Sequence, residues 1–156
     1  MTVLILGCGF TGERVARRMK ARGAHVQATS RDPQKLAHLG VEVFHVEQVP
    51  QRIERGCLVL HSIPPENDLD VLPLLGDAPA RVVYISTTGV YGAAKEVNES
   101  SPVDWSSERA RPRLEAERSI KTLVTTDGTR VEHGRLFARI MIVARGKAAD
   151  GMEDLD

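Results

Sequence analysis

With 156 residues the chain has the length of one domain, and its 42% hydrophobic and 27% charged residues are ordinary for a soluble globular protein. Basic and acidic residues balance at 21 each, so net charge favours neither nucleic acid nor an anionic membrane as a partner. No apolar run reaches the length of a membrane span, and the N-terminus lacks a signal-peptide pattern. These features predict a soluble, cytoplasmic protein.

The chain opens on an apolar strand, predicted at residues 3–6, that leads into a glycine-rich turn and then into an amphipathic helix. In this G-x-G-x-x-G pattern, Gly7 is expected to allow the sharp turn, Gly9 to leave room for a pyrophosphate, and Gly12 to let the helix pack closely. The N–H groups at the start of the helix then face the phosphates. The loop predicted to bind a dinucleotide comprises Gly7, Cys8, Gly9, Phe10, Thr11 and Gly12.

Cys8 allows two interpretations. At a helix N-terminus its thiol is placed where the pKa is lowered, which favours reactivity. Alternatively, it is only a small residue that fills a variable position of the glycine pattern. The two cysteines form no C-x-x-C pair, and the five histidines have no metal-ligand spacing, so no metal site is predicted.

Strands and helices alternate along the rest of the chain. Strands are predicted at residues 25–29, 41–46, 58–63, 81–87 and 135–143, and the strand at 81–87 is apolar enough to be buried on both faces. Helices are predicted over residues 33–40 and 107–123, with shorter helical segments at 51–55 and 68–75. The alternation predicts an α/β fold, a doubly wound parallel sheet with right-handed crossovers. We expect one nucleotide-binding domain over residues 1–146 and a disordered tail over 147–156.

The residues after the second strand distinguish between the two nicotinamide dinucleotides. NAD-binding versions of the fold place an acid here, whereas this chain has Ser30 and Arg31. A hydroxyl and a guanidinium suit the 2′-phosphate of NADP. Asp32 is the competing acid, but its place before Pro33 predicts a helix N-cap. NADP is therefore the predicted cofactor, with NAD as the second choice.

The end of the fourth strand supplies a further set of predicted cofactor contacts. His61, Ser62 and Ile63 occupy the place where this fold commonly contacts the adenosine and ribose. A lone histidine at a strand end also has a structural interpretation, which remains open here.

Four stretches of sequence occur together in a recognisable order. They are GCGFTG at 7–12, TSRDP at 29–33, YISTTGVYG at 84–92 and VNESSP at 97–102. Over roughly residues 1–123 the chain thus resembles the extended short-chain dehydrogenase/reductases, specifically the NAD(P)-dependent epimerase/dehydratase-like branch. The resemblance implies a Rossmann domain followed by a smaller substrate domain. It also implies a catalytic Ser or Thr after the fifth strand and a Tyr-x-x-x-Lys pair on the next helix.

The catalytic residues of that family are only partly present. The Ser/Thr position falls on Thr87, with Ser86 beside it. The dyad is missing, because Arg109 and Arg113 stand at the tyrosine and lysine positions, and arginine stays protonated. Tyr91 is the only nearby candidate proton donor; its Y-x-x-x-K spacing to Lys95 lies too close to the strand end to be the helical pair. Loss of the tyrosine is typical of the atypical members of this family.

Three hypotheses about function follow. The resemblance implies an NADP(H)-binding oxidoreductase or epimerase that acts on a hydroxyl or carbonyl of a sugar-nucleotide-like substrate, with a homo-oligomer as one possible assembly. The missing dyad favours instead a catalytically inactive module that binds the nucleotide and senses its redox state. Because the region expected to form a substrate domain is not recognisable, a C-terminally shortened remnant is the third.

Overall fold

The computed structural model describes residues 1–65, 71–94, 96–98 and 100–121. Five parallel strands form a single sheet in the order β3-β2-β1-β4-β5. The strands are β1 (Thr2–Leu6), β2 (His25–Thr29), β3 (Glu42–Phe44), β4 (Cys57–His61) and β5 (Pro79–Tyr84). The chain runs outward from β1 to β3 and then returns to β4 on the other side of β1. This reversal makes a crevice at the carboxyl ends of β1 and β4, where doubly wound folds bind their ligands.

The helical segments cover both faces of this sheet. The α-helices are α1 (Phe10–Ala21), α2 (Val49–Arg52) and α3 (Arg111–Lys121). The 3-10 helices are Pro33–Leu39, Val46–Gln48, Pro73–Leu75 and Thr88–Tyr91. The predicted doubly wound parallel α/β fold is therefore confirmed.

Alternate residues of β1 belong to two separate cores. Val3 and Ile5 pack with Ala16 of α1 on one face of the sheet. Leu4 and Leu6 pack on the other face, in a cluster that includes Ile120 of α3. Because both faces are covered, β1 is an unbroken apolar run instead of an alternating one. This central position holds the glycine loop at the end of β1 on the most buried strand.

The first helix of the structure matches its predicted pattern closely. Its apolar stripe, Val15, Ala16 and Met19, faces the sheet in the same core. The chain leaves the helix through Gly23, which has a φ of 79° and whose N–H donates to the carbonyl of Lys20. A glycine in the left-handed region is the common way to end a helix.

Several predicted elements differ from the structure in length or type. The segment after Pro33 is a 3-10 helix, although it ends as predicted at Gly40, whose φ is 58°. The third strand covers only residues 42–44 instead of 41–46, and the charged helix begins at Arg111 instead of Ser107. The predicted strand at 135–143, the tail at 147–156 and part of the segment 68–75 lie outside the described residues.

The prediction for β5 needs a correction. This strand ends at Tyr84, before the predicted end at residue 87, and it is not buried on both faces. The side chain of Val83 is 46% exposed, and Ile85 after the strand is 36% exposed. The reason is position, because β5 is one of the two edge strands of the sheet that the described residues form. An apolar run in sequence does not reveal which strand lies at an edge.

Two kinds of feature are absent from the described residues. None of their helices is long and apolar enough to cross a membrane. No group of three or more His, Cys, Asp or Glu side chains among them is arranged to hold a metal ion.

Candidate functional site

The glycine loop turns out of β1 at Gly7, where only glycine fits. Its φ is +74°, in the left-handed region that other residues rarely adopt. A Cβ added at Gly7 would also lie 2.6 Å from Cγ1 of Ile63, closer than real contacts allow. Two independent constraints therefore require glycine at this turn, and Ile63 packs directly against it.

The other two glycines of the pattern have opposite surroundings. A Cβ added at Gly12 would lie 3.1 Å from Cγ2 of Ile5 and 3.3 Å from Sγ of Cys8. A Cβ added at Gly9 would meet nothing within 4 Å. Gly12 thus allows α1 to approach β1 closely, as predicted. Gly9 instead borders open space, which is the property that approach of a pyrophosphate requires.

The start of α1 is available to an anion. Gly9 is the N-cap residue, and no side chain accepts a hydrogen bond from the first turn. The first N–H groups of a helix have no acceptor within the helix, and the positive end of the helix dipole lies there. Phe10 and Thr11, which begin the helix, are exposed, and the guanidinium of Arg14 stacks 3.3 Å from the centre of the Phe10 ring. The residues present therefore fit a bound phosphate group.

The loop is also tied to the two strands on either side of β1. Thr29 at the end of β2 accepts a hydrogen bond through Oγ1 from the N–H of Gly7, at 3.0 Å. Its carbonyl accepts another from the N–H of Cys8, at 2.8 Å. On the other side, the hydroxyl of Ser62 lies 2.9 Å from the Leu6 carbonyl oxygen and 2.7 Å from that of Gly7, and it donates to both. Ser62 was predicted to contact the cofactor, but its hydroxyl faces the backbone of the loop.

Cys8 is not a reactive thiol in this structure. Its side chain is buried, and burial raises its pKa to about 11, with the nearby Glu13 carboxylate adding to the effect. A thiol with that pKa stays protonated at neutral pH. The interpretation of Cys8 as a lowered-pKa nucleophile is therefore wrong. The alternative interpretation of Cys8 is a small side chain that fills the loop. It agrees with the packing, because a Cβ added at Gly12 would lie 3.3 Å from Sγ of Cys8.

The end of β2 presents a cation at the edge of the sheet. Arg31 is exposed and makes no hydrogen bond or ion pair that the structure records with another described residue. The hydroxyl of Ser30 donates to the carbonyl of Asp32 at 3.0 Å and accepts from the Asp32 N–H at 3.1 Å. Asp32 stands at the predicted N-cap position, but its carboxylate lies 3.4 Å from Nζ of Lys35 and does not cap the helix.

The end of β4 brings a histidine against a tyrosine. His61 is buried, and its ring meets that of Tyr84 edge to face at a centroid distance of 5.0 Å. The two residues are register partners in the β4–β5 ladder. This packing is what the structural interpretation of His61 expects.

The predicted catalytic residues follow β5 but differ in their surroundings. Thr87 is exposed at the edge of the sheet, and its Oγ1 accepts a hydrogen bond of 2.8 Å from the N–H of Gly89. Ser86 Oγ is shielded from solvent and has no hydrogen-bond partner among the described residues. Tyr91 is only 8% exposed and packs in a cluster with Ala110 and Leu114. The geometry thus offers Thr87, but not Tyr91, to an approaching substrate; Lys95 lies outside the described residues.

Sequence analysis did not single out Tyr84 as a site residue. Its phenolic oxygen is buried and makes no hydrogen bond of standard geometry within the part of the chain that the structure describes. Burial raises the pKa of Tyr84, while the guanidinium of Arg113 on α3 acts in the opposite direction. Tyr84 is the last residue of β5 and Ser86 lies beyond the strand, so no sequence pattern indicated that both oxygens are shielded from solvent. Arg113, at the family's lysine position, thus acts on the half-buried Tyr84 of β5.

The predicted residues thus meet along one edge of the sheet. The ends of β2, β1, β4 and β5 are consecutive in the strand order, and three strand spacings span about 14 Å. Arg31, the glycine loop and Thr87 follow three of these four ends. A ligand that binds at the glycine loop must be extended to reach both Arg31 on one side and Thr87 on the other.

Comparison with protein families gives one match over most of this sheet. A family model described as NADP oxidoreductase, coenzyme F420-dependent, matches residues 2–89, more than half of the chain. The matched segment begins at β1 and ends just after Thr87. No curated protein matches the chain.

Solved structures match a longer part of the chain. A functionally unknown conserved protein from Silicibacter pomeroyi DSS superposes with a TM-score of 0.62 at 29% identity, covering 78% of this chain and 48% of that one. A short-chain dehydrogenase/reductase superfamily protein from Agrobacterium tumefaciens, with bound NAD, has a TM-score of 0.61 at 19% identity, covering 78% of this chain and 44% of that one. Because the identity to the Agrobacterium tumefaciens protein is 19%, this likeness shows the fold alone. The chain spans about half the length of these two structures.

Proposed function

The chain belongs to the family described as NADP oxidoreductase, coenzyme F420-dependent, and on this premise we propose that it binds NADP(H) at the glycine loop. In an oxidoreductase this cofactor supplies or accepts a hydride at its nicotinamide ring. We propose further that the nucleotide-binding domain extends over residues 1–146, as the sequence pattern predicts. The nucleotide-binding role is the part of the proposal that the described residues support best.

One observation carries the proposal. Gly9 caps a twelve-residue helix without a side chain, and no atom lies within 4 Å of the place where a Cβ would stand. An uncapped helix start beside open space is electrostatically and sterically suited to a pyrophosphate. The tightly packed Gly7 and Gly12 on either side hold that opening in place.

The preference for NADP over NAD depends on the end of β2. The exposed guanidinium of Arg31 has no recorded partner among the described residues, so it is free to pair with a 2′-phosphate. The acid that binds a ribose 2′-hydroxyl in NAD-dependent versions is absent from the strand end, where Ser30 stands instead. Asp32 is already paired with Lys35.

The reaction class is proposed from the residues after β5. Thr87 carries an exposed hydroxyl at this end of the sheet, and we propose that it orients the substrate oxygen while hydride moves between the nicotinamide and the attached carbon. The epimerase/dehydratase branch, and with it a sugar-nucleotide-like substrate, is supported by the sequence resemblance of residues 84–92 and 97–102 alone.

A second candidate function has its own support. Tyr91 is packed in an apolar cluster, and arginines stand at the two dyad positions, so the described residues present no obvious proton donor beside Thr87. A module that binds NADP(H) without turnover, and so reports its redox state to a partner, fits this arrangement.

Fluorescence titration with NADPH and NADH tests the cofactor assignment. We expect NADPH to bind more tightly, because Arg31 adds a charge-assisted contact to the 2′-phosphate. Arg31→Gln should weaken NADPH binding by about ten-fold or more and leave NADH unchanged, since a hydrogen bond to a charged group contributes about 1.5–3 kcal/mol. Arg22→Gln, at the opposite end of α1, is the matched control. Tighter binding of NADH than of NADPH would contradict the proposed contact between Arg31 and the 2′-phosphate.

An NADPH oxidation assay separates the two candidate functions. Carbonyl compounds, keto-sugar nucleotides and oxidised coenzyme F420 are supplied in turn as hydride acceptors. An oxidoreductase should turn over with at least one of them, lose rate in Thr87→Ala and retain it in Thr87→Ser, which keeps the hydroxyl. Binding without turnover, unaffected by Thr87→Ala, supports the silent module instead.

A further inference from the structure

We infer that Thr29 and Ser62 are positioning residues that hold the glycine loop in its ligand-binding conformation from the two neighbouring strands. Thr29 has no predicted contact with the nucleotide, and Ser62, which the sequence predicts as a cofactor contact, turns its hydroxyl to the backbone of the loop. The inference rests on the proposed nucleotide-binding function and adds how the loop is prepared for its ligand.

The first restraint comes from β2. Thr29 is 2% exposed, and its side chain and main chain together hold two consecutive N–H groups of the loop. Oγ1 accepts from the N–H of Gly7 at 3.0 Å, and the carbonyl oxygen accepts from the N–H of Cys8 at 2.8 Å. Only the first of these bonds depends on the side chain. Valine would keep the shape of threonine and remove that bond alone.

The second restraint comes from the residue after β4. The N–H of Ser62 donates to the Leu6 carbonyl at 2.9 Å, which continues the parallel ladder between β1 and β4. Its hydroxyl then reaches the same carbonyl and that of Gly7, at 2.9 Å and 2.7 Å. The carbonyl of Gly7 also accepts from the N–H of Gly9 at 2.8 Å. The N–H and the carbonyl of Gly7 are therefore both hydrogen-bonded.

These restraints affect ligand binding because the loop is rich in glycine, the residue with the greatest conformational freedom. A glycine loses more conformational freedom on ordering than any other residue, and the loop has three within six positions. A loop that is already ordered does not have to be ordered by the ligand, so less of the binding free energy is lost. The side chains that fix Gly7 thus raise affinity without touching the nucleotide, provided that the loop keeps the same conformation on binding.

The inference is tested by calorimetric titration of Thr29→Val, Ser62→Ala and the wild-type protein with NADPH and NADH. Each substitution should weaken both nucleotides by about ten-fold, and their affinity ratio should stay unchanged, because the 2′ position is not involved. Thr29→Ser, which restores the hydroxyl, should recover most of the wild-type affinity. Val26→Ala, a buried position earlier in β2, provides a destabilised control with the loop bonds intact.

Amide hydrogen exchange in the nucleotide-free protein keeps the inference separate from the proposed function. Exchange of the Gly7 N–H should accelerate at least ten-fold in Thr29→Val and stay close to the wild-type rate in Val26→Ala. Wild-type affinities in Thr29→Val and Ser62→Ala, or equal weakening in Val26→Ala, would overturn the positioning role. Unchanged exchange of the Gly7 N–H in Thr29→Val would also reject the hydrogen-bond restraint.

The proposed function has a separate outcome. It would fail if the wild-type protein bound neither nucleotide.

Discussion

Gly7, Gly9 and Gly12 share one residue type but are required for different physical reasons. Gly7 has a positive φ and packs against Ile63, and Gly12 packs against Ile5. Gly9 has neither constraint, since its φ of −95° is open to other residues and its surroundings are empty. Folding therefore explains two of the three glycines, and the third is left for a ligand to explain.

This difference predicts opposite effects of the same substitution. Gly9→Val should change the free energy of unfolding by less than about 1 kcal/mol, because only an exposed helix N-cap is altered. It should nevertheless weaken NADPH binding by more than ten-fold, since the side chain occupies the open space. Gly12→Val should destabilise the fold by about 1–3 kcal/mol through overpacking against β1. Thermal unfolding and NADPH titration of both variants check this, and full binding by Gly9→Val would contradict it.

Tyr84 makes a separate prediction about stability. Its hydroxyl is buried and makes no hydrogen bond of standard geometry to the described residues, so removing the oxygen breaks no such bond there. Tyr84→Phe should therefore leave the free energy of unfolding unchanged or raise it by up to about 1 kcal/mol. Denaturant unfolding measures this. A loss of more than 1 kcal/mol would mean that Arg113 stabilises the phenol more than its geometry indicates.

At the scale of single residues, the sequence alone indicated the glycine loop at 7–12 and the cation Arg31 after β2. It did not predict that Ser62 turns its hydroxyl toward the loop, nor that Thr29 holds Gly7. Both bonds join segments more than twenty residues apart. Their geometry depends on which strands are neighbours, and a local pattern carries no information about that.

Among the elements, β2, β3 and α2 are joined by one polar cluster. The pKa of Glu42 lies below its ordinary value of 4.5 because Gln27 donates a hydrogen bond to the carboxylate, with Arg52 supplying a further hydrogen bond and its charge. A lowered pKa in the folded state means that the carboxylate stabilises the fold above the unfolded-state pKa. That contribution is lost as the pH falls through the folded-state value.

The cluster therefore predicts a pH dependence that one substitution removes. Between about pH 7 and pH 3, the wild-type protein should lose more unfolding free energy than Glu42→Gln does. The difference should be below about 1 kcal/mol, because the pair is partly exposed. Urea denaturation at the two pH values measures it. Glu47→Gln, an exposed acid on the adjacent 3-10 helix, is the control, and equal pH dependence in all three proteins would contradict the assignment.

Element boundaries show where sequence patterns stop being informative. Residues 25–29 were predicted as a strand and form one without any shift. The strand predicted at 81–87 instead starts at Pro79 and ends at Tyr84, because pairing with β4 stops there. Ile85 is apolar and its N–H still donates to the His61 carbonyl at 2.9 Å, so composition alone did not reveal that register pairing ends at Tyr84.

On the scale of the whole molecule, the strand order determines where the site lies. The chain reverses direction across the sheet between β3 and β4, which leaves a crevice between the ends of β1 and β4. The alternation of strands and helices was enough to predict this topology. The substrate was not predictable to the same degree, because the sequence after the matched residues 2–89 offers no motif as specific as the glycine loop.

Two-dimensional amide NMR of the isotope-labelled protein during NADPH titration tests the central claim most directly, because it reports both whether the nucleotide binds and where. The account predicts saturable shifts at Gly7, Gly9 and Gly12, with smaller ones near Arg31, while His25 and Glu54 at the opposite edge of the sheet stay unmoved. No shifts at saturating NADPH, or shifts grouped away from the loop, would contradict it.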